Sequence, residues 1–480
     1  MQLSHSRSKA TPSRRVFTHS AALLAALSAA ACAALPTPQH RPVPKAVSDY
    51  STVQSFAGPT AAWPSDRWWI GYGDPQLTEL ITEALTGAPD LSIAEARLRK
   101  ADAFRVETRA NLLPSVQLEG TAQHVRLGDD LALPGLSGGH NVGFAGLGMS
   151  WELDFWGKNR AALRAAISEE RAAKGDQEEA RLALSTAIAS QYAELAALYA
   201  DRDTAVAAAS IRRETTELMA GRQAKGLENA AAAQRARSAA EASEAEVAAL
   251  DEAIANTRHA IAALMGDGPD RGLAIQRPTA EALNGPGLPS NLPANLLGRR
   301  PDIVAARLRA EAAAHRIKVA KASFYPNIDL KGVIGGGTFD LAHAARMGSI
   351  IGAVGPALSL PIFDSGRLRA NYRGAEADYD LAVAEYDRTV AHALNEVADA
   401  ATSRQELEVR LAHSRNSLEA AKAAFTVTDN RYRGGLATYL EVLTAEDSLI
   451  SARRQVASLE SRAFTLDVAM VRALGGGFQS

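Results

Sequence analysis

The sequence predicts a mainly α-helical protein with a transmembrane β part and an internal duplication. Three observations predict this class: long stretches without a helix breaker, two short regions of alternating polarity, and a repeat register that holds along the chain. One helical stretch begins at Pro89 and stops at Pro114, and another begins at Pro301, 212 residues later, and stops at Pro326. Both are 25 residues from Pro to Pro. Two long copies are too few for a solenoid of many short units, so we expect one object with internal pseudo-symmetry.

The register continues beyond these helices with an offset of 209 residues. Three pairs share it: Trp156–Lys158 with Ser365–Arg367, Arg222–Leu227 with Arg431–Leu436, and Gly266 with Gly475. The two copies therefore differ by a few residues in one turn. We assign a first repeat at 67–266, an inter-repeat linker at 267–300, a second repeat at 301–475 and a C-terminal tail at 476–480.

Residues 1–31 are predicted to be an export signal, because basic residues precede an apolar stretch that ends in small residues. The single cysteine, Cys32, follows directly, so a disulfide within the chain is impossible. Its place resembles the lipid-modified first residue of a mature bacterial lipoprotein, although Ala29 stands where that box usually has Leu. We expect a lipid-anchored arm at 32–66. The alternatives are an ordinary signal with an incidental cysteine and a twin-arginine signal around Arg14 and Arg15.

Composition excludes several classes of function. A net charge of −2 over 480 residues gives no basic footprint for nucleic acid. Beyond the signal, no segment reaches the roughly 18 consecutive apolar residues of a membrane-spanning helix. Any membrane crossing by the mature chain would therefore use strands.

Two regions change from a helical period to a period of two, and they predict hairpins at about 115–155 and about 326–363. Apolar residues alternate there with polar or small residues on strands of about ten residues, as in the wall of a transmembrane β-barrel. A half-buried hairpin on a soluble core gives the same alternation, but the sequence offers no other sheet for packing. The predicted lipid-facing residues are Val116, Leu118, Leu147, Met149, Leu330 and Leu358.

The rest of each repeat is predicted to be long helix. From Lys158 to about Met219 only Gly175 interrupts the helical pattern, and the second repeat mirrors this stretch. Sixty-odd residues at 1.5 Å each give a helix of roughly 90–100 Å. In the last helix one column of seven-residue spacing contains Val442, Leu449, Val456, Ala463 and Met470. This spacing indicates left-handed coiled-coil packing.

These features together resemble the TolC-type outer-membrane efflux channels, in particular their NodT/OprM-like lipoprotein branch. The motifs that carry the resemblance are Trp68–Leu77, Trp151–Lys158, Arg299–Ile303, Tyr325-Pro326, Pro361–Leu368 and Arg431–Leu443. The resemblance extends from about residue 66 to residue 475. It implies a homotrimer in which three four-stranded contributions close one twelve-stranded β-barrel, continued by a hollow α-helical barrel across the periplasm.

The resemblance also implies a periplasmic gate. TolC has a tyrosine, a glycine-containing turn, and then two carboxylates one helical turn apart that narrow the closed entrance. Tyr432 matches the tyrosine and Glu441 the first carboxylate, whereas Thr444 stands where the second would be. Ala437 replaces an arginine that helps tie neighbouring protomers. The implied constriction is less acidic and more weakly held shut than in TolC, and a solvated helix face is the alternative for Glu441.

Two glycine turns are the predicted tips of the helical hairpins. The first contains Gly226 and Leu227, and the second contains Gly435 and Leu436. Helix-ending chemistry explains the glycines. The resemblance implies that these tips contact the hairpin tips of a periplasmic adaptor (membrane fusion) protein.

Signals for catalysis are weak, and no cofactor is expected apart from the lipid on Cys32. Gly135–Gly139 fits the nucleophile-elbow pattern, but it connects two strands rather than a strand to a helix. The resemblance implies a passive exit duct, lipid-anchored in the outer membrane, for substrates that an inner-membrane RND-type transporter delivers through the adaptor. The outer component of type I protein secretion and a non-channel periplasmic coiled-coil spacer are the alternative functions.

Overall fold

The computed structural model describes residue 37 and residues 42–57, 59–127, 138–279, 288–338 and 350–479. Within these ranges the chain is mainly helical and contains one four-stranded antiparallel sheet, as the sequence predicts. The predicted signal, Cys32 and most of the Gly135–Gly139 segment lie outside the described residues. No helix in the described ranges is both long enough and apolar enough to cross a membrane.

The first repeat follows the predicted order of elements. It contains α1 (Pro75–Gly87), α2 (Pro89–Ala110), β1 (Ser115–Leu127), β2 (Gly138–Glu152), α3 (Lys158–Ala224) and α4 (Ala230–Met265). The carboxylate of Asp74 begins α1 by accepting hydrogen bonds from the backbone amides of Gln76 and Leu77. Gly266 ends α4 with a φ of 86°, which a residue without a side chain adopts without strain.

The stretch between the repeats contains two helices that the sequence analysis did not predict. These are α5 (Pro269–Leu273) and α6 (Leu292–Arg299). Helix α6 buries Leu292 and Leu296, so this stretch contributes to a core rather than acting only as a connection. A two-residue parallel pairing of Thr60–Ala61 with Leu288–Pro289 attaches the N-terminal arm to the same stretch.

The second repeat reproduces the first. It contains α7 (Pro301–Ala322), β3 (Asn327–Thr338), β4 (Ile350–Ser359), α8 (Arg367–Arg433) and α9 (Tyr439–Ala473). Helices α2 and α7 both have 22 residues, and α3 and α8 both have 67. Each pair begins at the predicted offset, so the structure confirms the duplication and its two registers.

The described residues form two compact units. One unit contains Ala101–Glu170 and Arg309–Val383, and it includes the sheet. The other contains Pro44–Lys100, Arg171–Leu308 and the chain from Ala384 onward. The unit with the sheet has a small apolar core in which Ile317 and Phe324 pack against Leu368 and Tyr372.

The second unit has a larger apolar core around the Trp-Trp motif. Trp68, Trp69 and Tyr72 pack with α1 residues against Tyr192 of α3, and the ring of Tyr72 lies 4.6 Å from that of Phe464 in α9. A separate cluster on α6, α7 and α8 also includes half-buried Tyr50, Phe56 and Trp63 of the arm. The N-terminal arm is therefore fixed to this unit by its aromatic residues.

The coiled-coil column predicted in α9 is confirmed at its clearest positions. Val442, Leu449 and Val456 are all buried. In the first repeat, Ile254 and Ile261 of α4 are buried with the same seven-residue spacing. The helices therefore pack along the stripes that the sequence marks.

Candidate functional site

The two hairpin turns are built identically in the two repeats. Gly226 and Gly435 have φ values of 70° and 76°. The amide of Leu227 donates to the carbonyl of Arg222 at 2.9 Å, and the amide of Leu436 donates to the carbonyl of Arg431 at 2.8 Å. These are the six-to-one hydrogen bonds of a helix end that requires a left-handed residue, which favours glycine.

Each turn exposes one leucine. The exposed fraction is 62% for Leu227 and 73% for Leu436, and Leu440 one turn into α9 is also exposed. No packing within the described chain explains these apolar side chains at the ends of long helices. They form a small apolar surface at the turns, where the sequence analysis predicted adaptor contact.

The helices that leave the turns begin with side-chain caps. Asn229 accepts a hydrogen bond from the amide of Ala232 at 2.9 Å and so begins α4. Thr438 begins α9 and forms a capping box with Glu441, whose carboxylate accepts from the Thr438 amide at 3.1 Å and hydroxyl at 3.0 Å. The hydrogen bond from the Thr438 amide has the larger effect and that from the Thr438 hydroxyl the smaller, and together they hold the pKa of the Glu441 carboxyl below its usual value. The exposed side chain of Glu441 is therefore a carboxylate fixed to its own helix end.

The other two predicted gate residues have different surroundings. Thr444 is exposed, and its hydroxyl donates to the carbonyl of Leu440 at 2.9 Å, within its own helix. Tyr432 is buried, and its hydroxyl donates to the Glu228 carboxylate at 3.2 Å. Burial raises the pKa of Tyr432 to about 12, so the hydroxyl keeps its proton at neutral pH.

Tyr432 also connects the two hairpins of one chain. Besides Glu228, it contacts the sulfur of Met219 at 3.2 Å, and the guanidinium of Arg222 lies 4.7 Å from the centre of its ring. These three partners come from the first repeat, whereas Tyr432 belongs to the second, where its ring also lies 6.4 Å from that of Tyr439. The structure therefore places the predicted gate tyrosine at the joint between the repeats.

A buried ionic network further along the same helices was missed by the sequence analysis. Arg212 of α3 donates to Glu446 at 3.3 Å and Asp447 at 2.6 Å, both on α9, and to the hydroxyl of Ser243 on α4 at 2.8 Å. Glu446 is fully buried, and burial raises its pKa while Arg212 opposes that effect. Glu446 lies four residues after Val442 and three before Leu449, on the buried stripe of α9. An acidic residue on this otherwise apolar stripe is the sequence feature that could have revealed the network.

The register of the sheet places the six predicted lipid-facing residues on one face. Val116 pairs with Met149, Leu118 with Leu147, and Ile328 with Leu358. Directly opposed residues of antiparallel strands share a face, and Leu330 lies two residues beyond Ile328 on the same strand. Gln117 and Lys331 fall on the opposite face. Within the single chain the apolar face is uncovered: Leu118, for example, is 77% exposed.

Among the described residues there is no group of three or more His, Cys, Asp or Glu side chains that could hold a metal ion. The features of the described chain that bear on function are the apolar face of the sheet, the paired hairpin turns and the polar contacts between the repeats.

A family model described as outer membrane efflux protein matches residues 80–267 and 292–476. The fusaric acid resistance protein FusA of Burkholderia cepacia is 36% identical over 366 residues, which cover 74% of this chain and 69% of that protein. The pyoverdine export outer membrane protein OpmQ of Pseudomonas putida is 31% identical over 441 residues, which cover 88% of this chain and 92% of that protein.

A solved structure has the same architecture. The outer membrane protein VceC of Vibrio cholerae has a TM-score of 0.82 at 42% identity, covering 87% of this chain and 100% of that one. The two segments that match the family model correspond to the two repeats described above. The chain therefore belongs to the outer membrane efflux protein family, and it is an outer-membrane component of an efflux system with a TolC-like fold.

Proposed function

We propose that this chain is a passive exit duct formed by three copies, with no catalytic activity and no cofactor apart from a lipid on Cys32. The observation that carries the proposal is the sheet. Its strand order is β1-β2-β3-β4, so among the described residues β1 and β4 are edge strands with unpaired backbone groups. Joining β1 of one copy to β4 of the next satisfies these edges, and three copies give a closed twelve-stranded barrel whose apolar face meets lipid.

The duct does not energise transport. Outer membrane efflux proteins work with a periplasmic adaptor and an inner-membrane pump. In this chain the adaptor would contact the apolar turns that contain Leu227 and Leu436. An RND-type transporter would supply the substrate, which then diffuses outward through the helical barrel.

The gate of the proposed duct lies near the hairpin turns. The residues that line the gate or control its opening are Tyr432, Glu441 and Thr444. Opening separates the two hairpins of each protomer. The contacts of Tyr432 with Glu228 and Met219 support this role, because they connect the hairpins within one chain and must rearrange when the hairpins move apart. With threonine at position 444, each protomer contributes one carboxylate there rather than two.

Small-molecule efflux is the favoured use of the duct. The relatives are named for fusaric acid resistance and pyoverdine export, which both concern small organic molecules. We therefore propose a small organic substrate that the partner pump selects. Type I protein secretion uses the same channel architecture and is the second candidate function.

Single-channel recording tests the duct. The purified oligomer, reconstituted in planar lipid bilayers, is expected to produce discrete conductance steps, whereas detergent without protein gives none. A correctly assembled oligomer that inserts into the bilayer without conductance steps would instead identify a non-channel spacer. Restoring drug resistance in a strain without its outer-membrane efflux proteins, but not protein export, would assign efflux rather than secretion.

A further inference from the structure

The helices that follow the strands begin with the same pattern of positive charges in both repeats. Lys158, Arg160 and Arg164 begin α3, and Arg367, Arg369 and Arg373 begin α8. Each member of the first set is 209 residues before its counterpart, so the duplication has kept three cationic positions. At other positions the two helix starts match only in part: Ala161 corresponds to Ala370, whereas Asn159 corresponds to Leu368 and Leu163 to Tyr372.

Both sets lie at the same end of the sheet. The register pairs Ser115 with Ser150 and Asn327 with Ser359, and these residues adjoin the segments that join strands to helices. At the opposite end of the sheet Leu127 pairs with Gly138, and Gly336 pairs with Ile350. The cationic residues therefore follow the end of the sheet at which the helices begin.

The charges of the first set are partly neutralised. The Lys158 ammonium lies 3.0 Å from the Glu152 carboxylate, and the Arg160 guanidinium lies 3.1 Å from that of Asp154. Both carboxylates come from the segment that leads into the helix. Two of the three positive charges at the start of α3 are therefore paired with carboxylates of the same chain.

The second set lacks such partners. Arg367, Arg369 and Arg373 are exposed, and no carboxylate of the described chain lies within ion-pair distance of them. Asp364, the nearest acidic residue before them, instead accepts hydrogen bonds from the amides of Gly366 at 3.1 Å and Leu368 at 2.8 Å. The start of α8 therefore presents three guanidinium groups without counter-charges.

An uncovered apolar segment lies between the apolar face of the sheet and these arginines. Leu358 is 69% exposed on that face, and beyond the half-buried Leu360 the side chains of Ile362 and Phe363 are 70% and 89% exposed. An apolar strand, then an exposed aromatic residue, then cations is the order found where a protein passes from lipid tails to headgroups. Planar guanidinium groups bind phosphate oxygens through paired hydrogen bonds.

We propose that Ile362, Phe363 and the three arginines of α8 form a binding surface for anionic phospholipid headgroups in the leaflet next to the helical end of the strands. Phe363 and Ile362 insert at the level of the acyl-chain boundary, and the arginines bind phosphate. This proposal depends on the proposed function in one respect, which is that the strands must cross the membrane. The surface assigns anionic phospholipid binding to the second repeat alone. Conduction through the channel does not require this preference.

Lipid binding by the intact oligomer tests the surface. Native mass spectrometry measures binding of dioleoylphosphatidylglycerol and dioleoylphosphatidylcholine to the wild type and to the variant R367Q/R369Q/R373Q. The wild type is expected to bind the anionic lipid at least tenfold more tightly than the zwitterionic one. Each arginine near an anionic surface contributes roughly a fivefold preference, so the variant should bind both lipids alike.

Two further variants make the comparison specific. R367K/R369K/R373K keeps the charge and should retain most of the preference, although it loses the paired geometry. K158Q/R160Q/R164Q removes the corresponding charges of the first repeat and should retain most of it, because two of those charges are already paired. If the triple glutamine variant does not assemble, the three single variants are measured, and each should lower the affinity for the anionic lipid about fivefold.

Several outcomes would overturn the proposal. An assembled R367Q/R369Q/R373Q oligomer with wild-type preference would show that the arginines do not bind lipid. Single glutamine variants that weaken the oligomer but bind the anionic lipid as tightly as the wild type in their assembled fraction would show that the arginines pair with a neighbouring copy. Displacement of the anionic lipid by equal concentrations of soluble glycerol phosphate would indicate a general anion site. Conductance is recorded separately, so a wild-type oligomer that prefers anionic lipid but does not conduct would contradict the duct and leave the lipid surface intact.

Discussion

Arg300, directly before the second repeat, is a buried charge surrounded by carboxylates. Its guanidinium lies 2.7 Å from Asp302 and 2.5 Å from Glu396, and it donates to the carbonyl of Ala473 at 3.1 Å. Glu179 of α3 belongs to the same cluster. Burial and then the charge of Asp302 raise the pKa of Glu179 to about 7, against the opposing effects of Arg300 and Arg472.

This shift predicts that Glu179 makes the protein less stable as the pH rises. A raised carboxyl pKa means that the folded state binds the proton more tightly than the unfolded state does. The resulting stabilisation is fully present below the ordinary pKa of 4.5 and is lost as the pH rises to about 7. We expect Glu179→Gln to raise the melting temperature at pH 8 and to change it little at pH 5.

The measurement is a thermal unfolding series from pH 5 to pH 8 on the assembled oligomer. Glu178→Gln, the same change at the neighbouring residue, is the matched control and should leave the pH dependence of the wild type in place. A Glu179→Gln profile parallel to that of the wild type would contradict the assignment.

Glu441 is the residue at which the predicted gate can be tested without disturbing the fold. Glutamine at this position can still form the capping box with Thr438, so Glu441→Gln removes a charge and keeps the cap. If the carboxylates of three protomers meet near the axis, they attract cations. We expect the variant to lower cation preference and to abolish any weak block by multivalent cations, measured as reversal potentials across a salt gradient. Unchanged selectivity and block would mean that Glu441 is a solvated charge outside the lumen.

At the scale of elements, the sheet shows that strand register follows from alternation. The row Val116, Met149, Gly332 and Val354 crosses all four strands on one face. A shift of one residue in any strand would exchange its apolar and polar faces. The burial of one face in lipid would therefore select this register, and the uncovered face of the single chain is consistent with that role.

The strands give a prediction about the two faces. Leu118→Arg places a charge on the apolar face and should destabilise the assembled protein by about 2–4 kcal/mol near the middle of the bilayer, and less near an interface. Gln117→Arg, one residue earlier, places the same charge on the opposite face and should be tolerated. The fraction of oligomer that survives heating in detergent, after membrane insertion, measures the difference. Equal tolerance at the two positions would refute the assigned faces. Comparing Leu330→Arg with Lys331→Arg repeats the test on β3.

The long helices depend on close contacts that the sequence does not reveal. Gly175 is an isolated glycine inside α3, which alone would weaken the helix. A side chain there would meet the Cβ of Ala305 at 3.1 Å and the carbonyl oxygen of Pro301 at 3.2 Å. A Cβ at position 175 would therefore be closer to α7 than an ordinary van der Waals contact, whereas one at Gly221 of the same helix would meet no atom within 4 Å.

At the scale of the whole molecule, the N-terminal arm connects a predicted membrane anchor to the helical part. From Lys45 onward the arm is held to α8 and α6. The Lys45 amide donates to the Asp387 carboxylate of α8 at 3.0 Å, and the Arg299 guanidinium of α6 lies 4.8 Å from the centre of the Trp63 ring. The residues between Cys32 and this attachment would span at most about 45 Å if extended. A lipid on Cys32 can therefore lie no farther than this from the attachment at Lys45.

The anchor itself gives the prediction at this scale. Cys32 is expected to carry the lipid, so wild-type protein should incorporate labelled palmitate in cells and Cys32→Ser should not. The strands supply a second attachment to the membrane, and Cys32→Ser should therefore retain part of its outer-membrane localisation in fractionated envelopes. Wild-type protein without label would show that the signal is an ordinary one and that Cys32 is incidental.

The elements and their repetition follow from local features of the chain. Helix lengths, strand alternation and glycine turns depend on local steric and periodic rules, which act within a few residues. The matched 67-residue helices, the four strands and the shared face of Val116 and Leu118 could therefore be read directly from the chain. The same rules located Gly226 and Gly435, because each turn requires a left-handed residue.

The tertiary structure decided which distant residues meet. Nothing local indicated that Tyr432 would donate to Glu228, or that Arg212 would be the cation that pairs with Glu446 on the buried stripe of α9. The helices between the repeats and the attachment of the arm were also unpredicted, since short segments take their conformation from the core they cover. Contacts between residues some 200 positions apart depend on how helices pack, and one chain's sequence fixes that packing only through the folded molecule.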